Sequence, residues 1–308
     1  MFNKYVTRLF LVLCLILVSA TSLKAAGIAK PGLKEEAELQ TFIGEVEREK
    51  KISQTLDSFY RYMPSSKVDA QSGKVGLTEA GAQYSCAFRV FDKLPVEFLF
   101  KQEYIGINNS TVVKLPAHLV GVSMGIETTM PFFNFDKTYF RVGVYPSFFE
   151  DDWTFDSSSF RIPSRLFIIK QPSEKLTYVA GVAVFPDFEN VAWPILGLIY
   201  KPNDKLTFNL IPDRPNISYA VNDKVTLFTE AGFSNGEFEV DKDNVKNTKL
   251  EYKETHLGAG IKYKLNKYIE SSLTAGGMFN RRLQYKESLG KVKIDNGAYA
   301  EFRLQIAM

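Results

Sequence analysis

The chain has 308 residues, of which 24% are charged and 14% aromatic, with 38 basic and 35 acidic side chains and a mean hydropathy of -0.12. A polytopic helical membrane protein needs several stretches of about 20 apolar residues, and only the run 9–18 approaches one. Intrinsic disorder is excluded by 45% hydrophobic residues, including 25 Phe and 15 Tyr. What remains is a soluble protein of one or two domains, or a protein that meets lipid without apolar helices.

Lys4 and Arg8 precede the apolar run, and small residues up to Ala25 follow it, which reads as a cleaved secretory signal over residues 1–25. That segment holds three basic residues and no acid. Removing them from the 38 leaves 35 against 35, so the mature chain is expected to carry no net charge. No basic stripe with interleaved aromatics points to nucleic acid. Cys86 is the only cysteine after residue 25, so no intramolecular disulfide is expected.

Leu39, Phe42, Ile43 and Val46, and then Leu56, Phe59 and Tyr60, keep helical spacings, and Pro64 follows. The pattern predicts an amphipathic helix over residues 33–62, within an amino-terminal periplasmic or plug segment at 26–70. From residue 71 onward, segments of about ten residues alternate with period two. Phe140, Val142 and Val144 oppose Tyr139, Arg141 and Gly143; Leu257, Ala259, Ile261 and Tyr263 oppose His256, Gly258, Gly260 and Lys262. In the last segment Ala298, Ala300, Phe302, Leu304, Ile306 and Met308 oppose Gly297, Tyr299, Glu301, Arg303 and Gln305. A strand with one apolar face and one face of Gly, Tyr and charge separates something apolar from something wet.

Tight polar turns recur before new strands: Asp92-Lys93, Asp136-Lys137, Glu174-Lys175, Asp204-Lys205, Asp223-Lys224 and Asn266-Lys267. Between them lie expected long polar loops at 108–116, 150–159, 234–248 and 285–296. Short turns at one end and long loops at the other are the layout of an antiparallel outer-membrane β-barrel, and closure satisfies every backbone group in lipid. Aromatics near strand ends, Tyr104, Tyr145, Phe148, Phe149, Trp153, Trp193, Tyr200, Tyr263 and Tyr268, fit interfacial girdles. The turn count gives thirteen strands, an odd number. Either the short segments 206–211 and 217–221 are not two full strands, giving twelve, or a strand before Gly73 gives fourteen. The expectation is an all-β meander barrel of about twelve strands (range 10–14) over residues 71–308, with an exported β-sandwich as the rival fold.

The segment Asn190-Val191-Ala192-Trp193-Pro194-Ile195-Leu196-Gly197-Leu198-Ile199-Tyr200-Lys201-Pro202-Asn203-Asp204, followed by Leu210-Ile211-Pro212 and Ile217-Ser218-Tyr219, resembles a family of uncharacterised outer-membrane barrel proteins of Gram-negative bacteria. The resemblance implies the fold and no activity. The apolar phase of Phe302, Leu304, Ile306 and Met308 also resembles the terminal strand by which such barrels are read by their assembly machinery, although Met308 replaces the usual aromatic. Outer-membrane lipid and that machinery are therefore the expected partners.

Chemistry for catalysis is sparse. His118 and His256 lack a second ligand at a metal spacing, Ser123 and Ser271-Ser272 lie near them in sequence, and Glu150-Asp151-Asp152 with Asp156 could offer oxygens to a divalent cation but read more simply as a solvated external loop. No enzyme activity, metal or cofactor is expected. The candidate lumen lining is Tyr139, Arg141, Glu230, Lys262, Tyr299, Glu301 and Arg303. The expected function is a narrow outer-membrane channel or transport protein for small solutes; the alternatives are a barrel whose loops bind a surface ligand and a lipid-modifying enzyme.

Overall fold

A computed structural model describes residues 53–69, 72–91, 94–133, 135–186, 191–212, 214–243, 245–286 and 289–308. The signal, residues 26–52 and the Asp92-Lys93 turn lie outside the described residues. One antiparallel sheet contains seventeen segments in chain order: β1 Ser53–Lys67, β2 Lys74–Val90, β3 Leu94–Asn109, β4 His118–Pro131, β5 Thr138–Val144, β6 Ser147–Glu150, β7 Phe160–Arg161, β8 Ser164–Ser173, β9 Leu176–Val184, β10 Ala192–Tyr200, β11 Leu206–Asn209, β12 Asn216–Ala220, β13 Val225–Lys242, β14 Val245–Lys264, β15 Ile269–Tyr285, β16 Lys291–Ile294 and β17 Gly297–Ala307. The pairs β5/β6, β7/β8 and β16/β17 are each one stave broken by a kink, so fourteen staves make the wall. β1 pairs with β2 on one side and β17 on the other, Tyr60 facing Phe302, which closes the barrel and excludes the two-sheet sandwich.

The barrel is thus larger than twelve staves. β11 and β12 both exist, and the additional stave is β1, where Leu56, Phe59 and Tyr60 had predicted the end of a helix. Both faces of β1 carry large side chains: Phe59 and Met63 point inward, Tyr60 and Tyr62 are each 52% exposed outward. Apolar groups on both faces produce spacings of three and four by accident, and two flanking ladders outweigh local propensity. The barrel therefore begins before residue 71. Among the described residues no helix is long and apolar enough to cross a membrane, which is a statement about helices alone.

The described turns of the Asp/Asn-Lys repeat all lie at the end where β1 starts and β17 finishes, and side-chain amides build three of them. Asn203 Oδ1 accepts from the backbone N–H groups of Lys205 and Leu206, both at 3.0 Å; Asn222 Oδ1 accepts from Lys224 and Val225, both at 2.9 Å; Asn266 Oδ1 accepts from Tyr268 and Ile269 at 2.8 and 3.0 Å. The repeat works because an Asn side chain mimics a backbone turn, with the neighbouring Asp and Lys left in solvent.

At the opposite end, residues 234–248 are not a loop. They extend β13 and β14, which reach 18 and 20 residues, and the polarity of the faces inverts there. Lower down, apolar residues such as Leu257 (57% exposed) and Leu273 (56%) point outward and charges point inward. In the extension Phe238, Val240, Leu250 and Tyr252 point inward into an apolar core with Met63, Leu77, Met278, Leu283 and Val292. Outside, Glu237 pairs with Lys286 at 2.7 Å and Glu251 with Arg282 at 2.8 Å. Polar groups on the outer face gave this stretch the composition of a loop.

Candidate functional site

Inward-facing charges gather in two groups. In the larger, Arg61 on β1, which is 6% exposed, donates from Nε to Glu301 Oε2 at 2.9 Å and from Nη1 to Glu79 Oε2 at 3.1 Å and Glu254 Oε1 at 3.3 Å. Glu301 on β17 also receives Arg214 Nη2 at 2.9 Å and Arg303 Nη2 at 3.3 Å. Arg214 forks onto Glu230 at 2.9 and 3.0 Å, and Arg303 reaches Asp57 at 3.3 Å. Tyr252 Oη contacts Glu254 at 2.5 Å and Glu79 at 3.2 Å. Tyr299 lies under the Arg61 guanidinium, 5.3 Å from its ring centroid, with the His256 ring edge-on at 5.6 Å. Charges removed from water need such compensation, since an unpaired buried ion costs several kcal/mol.

The smaller group stands on the opposite wall. Arg141 on β5 is bonded to Glu127 and, at 3.3 Å, to Glu97, while Tyr145 donates to Glu127. Tyr145 fits because Gly125 and Gly143 leave room; a Cβ at either position would stand 2.6 Å from the tyrosine. Tyr145 and Phe149 therefore turn inward with Arg141, following the alternation and not the girdle expected of them. Trp153, Trp193, Tyr200 and Tyr263 are 39–45% exposed on the outside.

Between the groups lies a cavity of about 560 Å³ whose walls include Arg141, Glu230, Lys262 and Arg303, with Phe59, Phe167, Phe228, Ile195 and Ile211. Lys262 Nζ stands 5.0 Å from the centroid of the Phe228 ring. Tyr139 packs with Ile169 and Val179 in an apolar cluster near the short-turn end. Sequence reasoning missed Arg61, Glu79, Glu254 and Arg214. Alternation along β2 places Glu79 with Gly81 and Gln83, so it was recoverable; Arg214 lies between strands and carries no periodic signal.

The cavity is covered unevenly. The β13–β14 hairpin crosses the mouth to β6, six staves away: Glu239 pairs with Glu150, the Asp151 N–H donates to the Glu239 carbonyl at 3.1 Å, and Phe238 meets Phe149 at 5.9 Å between centroids. On the side of β8 to β12 the wall is low. Among the described residues the β10–β11 ladder is short: Ile199 and Tyr200 pair with Asn209 and Phe208, and the Leu210 N–H donates to the Leu198 carbonyl at 2.8 Å just beyond. Among the described residues the ladder on the β12 side of β13 ends at Ala231, bonded to Pro215, and resumes only at Glu239. Phe233, 66% exposed, and Ile211 and Phe185 border this low side of the cavity.

Other chemistry read from the sequence is dispersed. Among the described residues no group of three His, Cys, Asp or Glu side chains could hold a metal ion; Glu150 accepts from Phe155 and Ser159, and Asp152 from Thr154. His118 stacks on Tyr104, while Ser123 faces the cavity. Near His256, Ser234 Oγ bonds Glu254 at 3.5 Å and Glu254 lies 3.5 Å from His256 Nδ1; the acid sits between hydroxyl and imidazole, so this order does not activate a nucleophile.

A family model described as a domain of unknown function, DUF6268, matches residues 103–306, about two thirds of the chain. Three solved structures are similar to the barrel. An outer-membrane channel of the COG4313 group from Pseudomonas putida F1 is 12% identical, covers 86% of this chain and 98% of its own, and has a TM-score of 0.47. A deltaS2S3 mutant of the monoaromatic hydrocarbon channel TodX is 9% identical, with 92% and 96% covered and a TM-score of 0.47. A FadL homologue from Pseudomonas aeruginosa is 11% identical, with 86% and 91% covered and a TM-score of 0.44. No curated relative matches the chain.

Proposed function

We propose that this chain, which belongs to the DUF6268 family, is an outer-membrane barrel that passes small solutes along a narrow path offset toward its low wall. The observation that carries this reading is the 560 Å³ cavity inside a closed barrel whose outer faces are apolar. That volume falls within the range of small-molecule sites, about 300–1,000 Å³, and below that of an open porin lumen. An apolar exterior with inward charge is the arrangement a lipid-spanning barrel requires. Tyr139, Arg141, Glu230, Lys262, Tyr299, Glu301 and Arg303 would border the path. Both signs of charge are present there, and most are locked in ion pairs, so the path selects by size more than by charge. Surrounding partners on this reading are outer-membrane lipid and, through β17, the barrel-assembly machinery.

Planar-bilayer recording of the full chain, and of a form lacking residues 27–52, tests the proposal. Small discrete conductance steps with a reversal potential near zero under a salt gradient are expected. Absence of conductance from both proteins, together with no swelling of sugar-loaded liposomes, overturns it.

A further inference from the structure

We infer that the cavity opens sideways, through a window between β10 and β13, into the outer half of the bilayer, and that it exchanges neutral, mainly apolar solutes with the lipid there. This rests on the transport reading and names its solute class.

The wall is short where the window lies. A strand that crosses a membrane needs about 9–11 residues. β10 has nine and β13 eighteen, but β11 and β12, which stand between them, have four and five. The turns that join β10 to β11 and β12 to β13 lie at the same end as the chain termini, so the missing part of the wall is the half away from that end. Three inter-strand spacings separate β10 from β13, about 14 Å in all, and above the short hairpin that gap admits an aromatic ring or an acyl chain.

The lower rim is finished, not frayed. Asn209 Oδ1 accepts the Ile211 N–H at 3.1 Å, taking a donor that a continuing ladder would use. Pro212 and Pro215 have no N–H, and the Arg214 carbonyl accepts from Asn216 Nδ2 at 3.2 Å. Gly197 lets the rim close onto β10, since a Cβ there would stand 2.8 Å from the Ile211 Cα. Even-numbered residues of β10 turn their backbone groups toward β11, as Leu198 does, and above that contact the even position 194 is a proline, which suits an open edge. Backbone in lipid must be satisfied without water, and these residues end the hairpin at membrane depth by satisfying it locally.

The cavity reaches this gap. Its walls include Ile195 on β10, Ile211 on the lower rim and Phe233 on β13. Phe233 shares the outward, exposed set of β13 with Leu227 and still borders the cavity, so interior and outer face form one surface there. Leu196, 73% exposed, stands on the facing edge of β10. The solute class follows from the lining. Ile and Phe side chains form the rim, with Phe167 and Phe228 further in. Arg214, on the connection that makes the lower rim, is held between Glu230 and Glu301 at 2.8 and 2.9 Å, so it offers an ion no uncompensated charge.

The full chain without its native cysteines (Cys14→Ser, Cys86→Ser) receives one new cysteine, Ile195→Cys at the window or Ser123→Cys on the cavity wall at β4. Each protein is reconstituted in phosphatidylcholine vesicles containing a lipid with a maleimide on one acyl chain. Addition of the thiol across the maleimide double bond joins lipid to protein and is read as a mass shift. Ile195→Cys should couple about tenfold faster than Ser123→Cys, while a water-soluble maleimide reaches both. Ile211→Trp, which fills the lower rim, should slow acyl coupling at Ile195→Cys several-fold; saturating naphthalene should do the same, and glucose or acetate should not. If Ile195→Cys does not fold, Ile211→Cys takes its place, and the comparison with Ser123→Cys and the naphthalene arm decide. Equal acyl coupling at the two sites, or coupling unchanged by Ile211→Trp, overturns the window. Protection by glucose or acetate, or none by naphthalene, overturns the solute class. Bilayer conductance separates this from the transport reading: coupling without conductance removes the path to water and keeps the window, and conductance without coupling does the reverse.

Discussion

From β13 through β17 and on to β4 the main segments run to between 11 and 20 residues, and their upper interior is filled by apolar side chains. From β8 to β12 they shorten from ten to four or five. Both regions obey the same alternation, yet they solve different problems. On the tall side the wall continues past the level of apolar outward residues, so the interior becomes a core and the exterior becomes charged. On the low side the wall stops early, and the cavity beneath is bounded by Ile211, Phe233 and Phe185 instead of by another layer of strand. The charged middle layer, centred on Glu301, joins the two sides.

Breaking that middle layer has the largest expected effect. Removing one partner of a buried ion pair costs about 3–5 kcal/mol. Glu301 serves Arg61, Arg214 and Arg303, but each of these keeps another carboxylate among Glu79, Glu254, Glu230 and Asp57. Glu301→Gln is therefore placed at the lower end, about 3 kcal/mol, read as a lower urea midpoint for unfolding in micelles. The same variant removes one negative charge from the ion-pair layer beside the cavity, leaving Arg214 and Arg303 less compensated, so the reversal potential should move toward anions. An unchanged midpoint would mean that the layer is decorative.

The inversion of polarity can be tested with two outward positions on one strand. A charge on the lipid face of a barrel costs about 2–4 kcal/mol at the bilayer centre and little beyond the interface. Leu257→Arg should cost near that range, and Val245→Lys, 37% exposed at the hairpin tip, within about 0.5 kcal/mol. Equal costs in lipid-vesicle refolding titrations would remove the distinction between the two levels of β14.

How much of this was readable beforehand follows the same division. Alternation marked the two faces of β5, β14 and β17 because lipid on one side and water on the other enforce period two over their lower parts. It did not mark β1, whose Phe59, Tyr60 and Tyr62 put bulk on both faces, nor the hairpin extension, whose outward Glu237, Glu239 and Glu251 imitate a loop. The site divides likewise. Glu301 and Arg303 were visible as polar-face residues; their convergence with Arg61 and Arg214 depends on registers among strands separated by up to 240 positions, which no local pattern encodes.

The smallest expected effect concerns the contact by which the tall side leans on β6. Asp151 donates its backbone N–H to Glu239 there, and its carboxyl is pushed up to about 6 from 3.8, first by burial and then by the neighbouring charges of Asp152 and Asp241. A folded-state value above the unfolded one means that the folded form binds the proton more tightly between about pH 4 and 6. The contact is therefore firmest below pH 4 and loses that contribution as pH rises through 6. Amide-exchange protection across residues 149–152, corrected for intrinsic rate, should be higher at pH 4.5 than at pH 7.5. Asp151→Asn removes the titrating charge, keeps the backbone donor, and should give the same protection at both values. A pH difference of equal size in that variant would assign the effect to another group on the hairpin, and the lean of β13 on β6 would then not depend on Asp151.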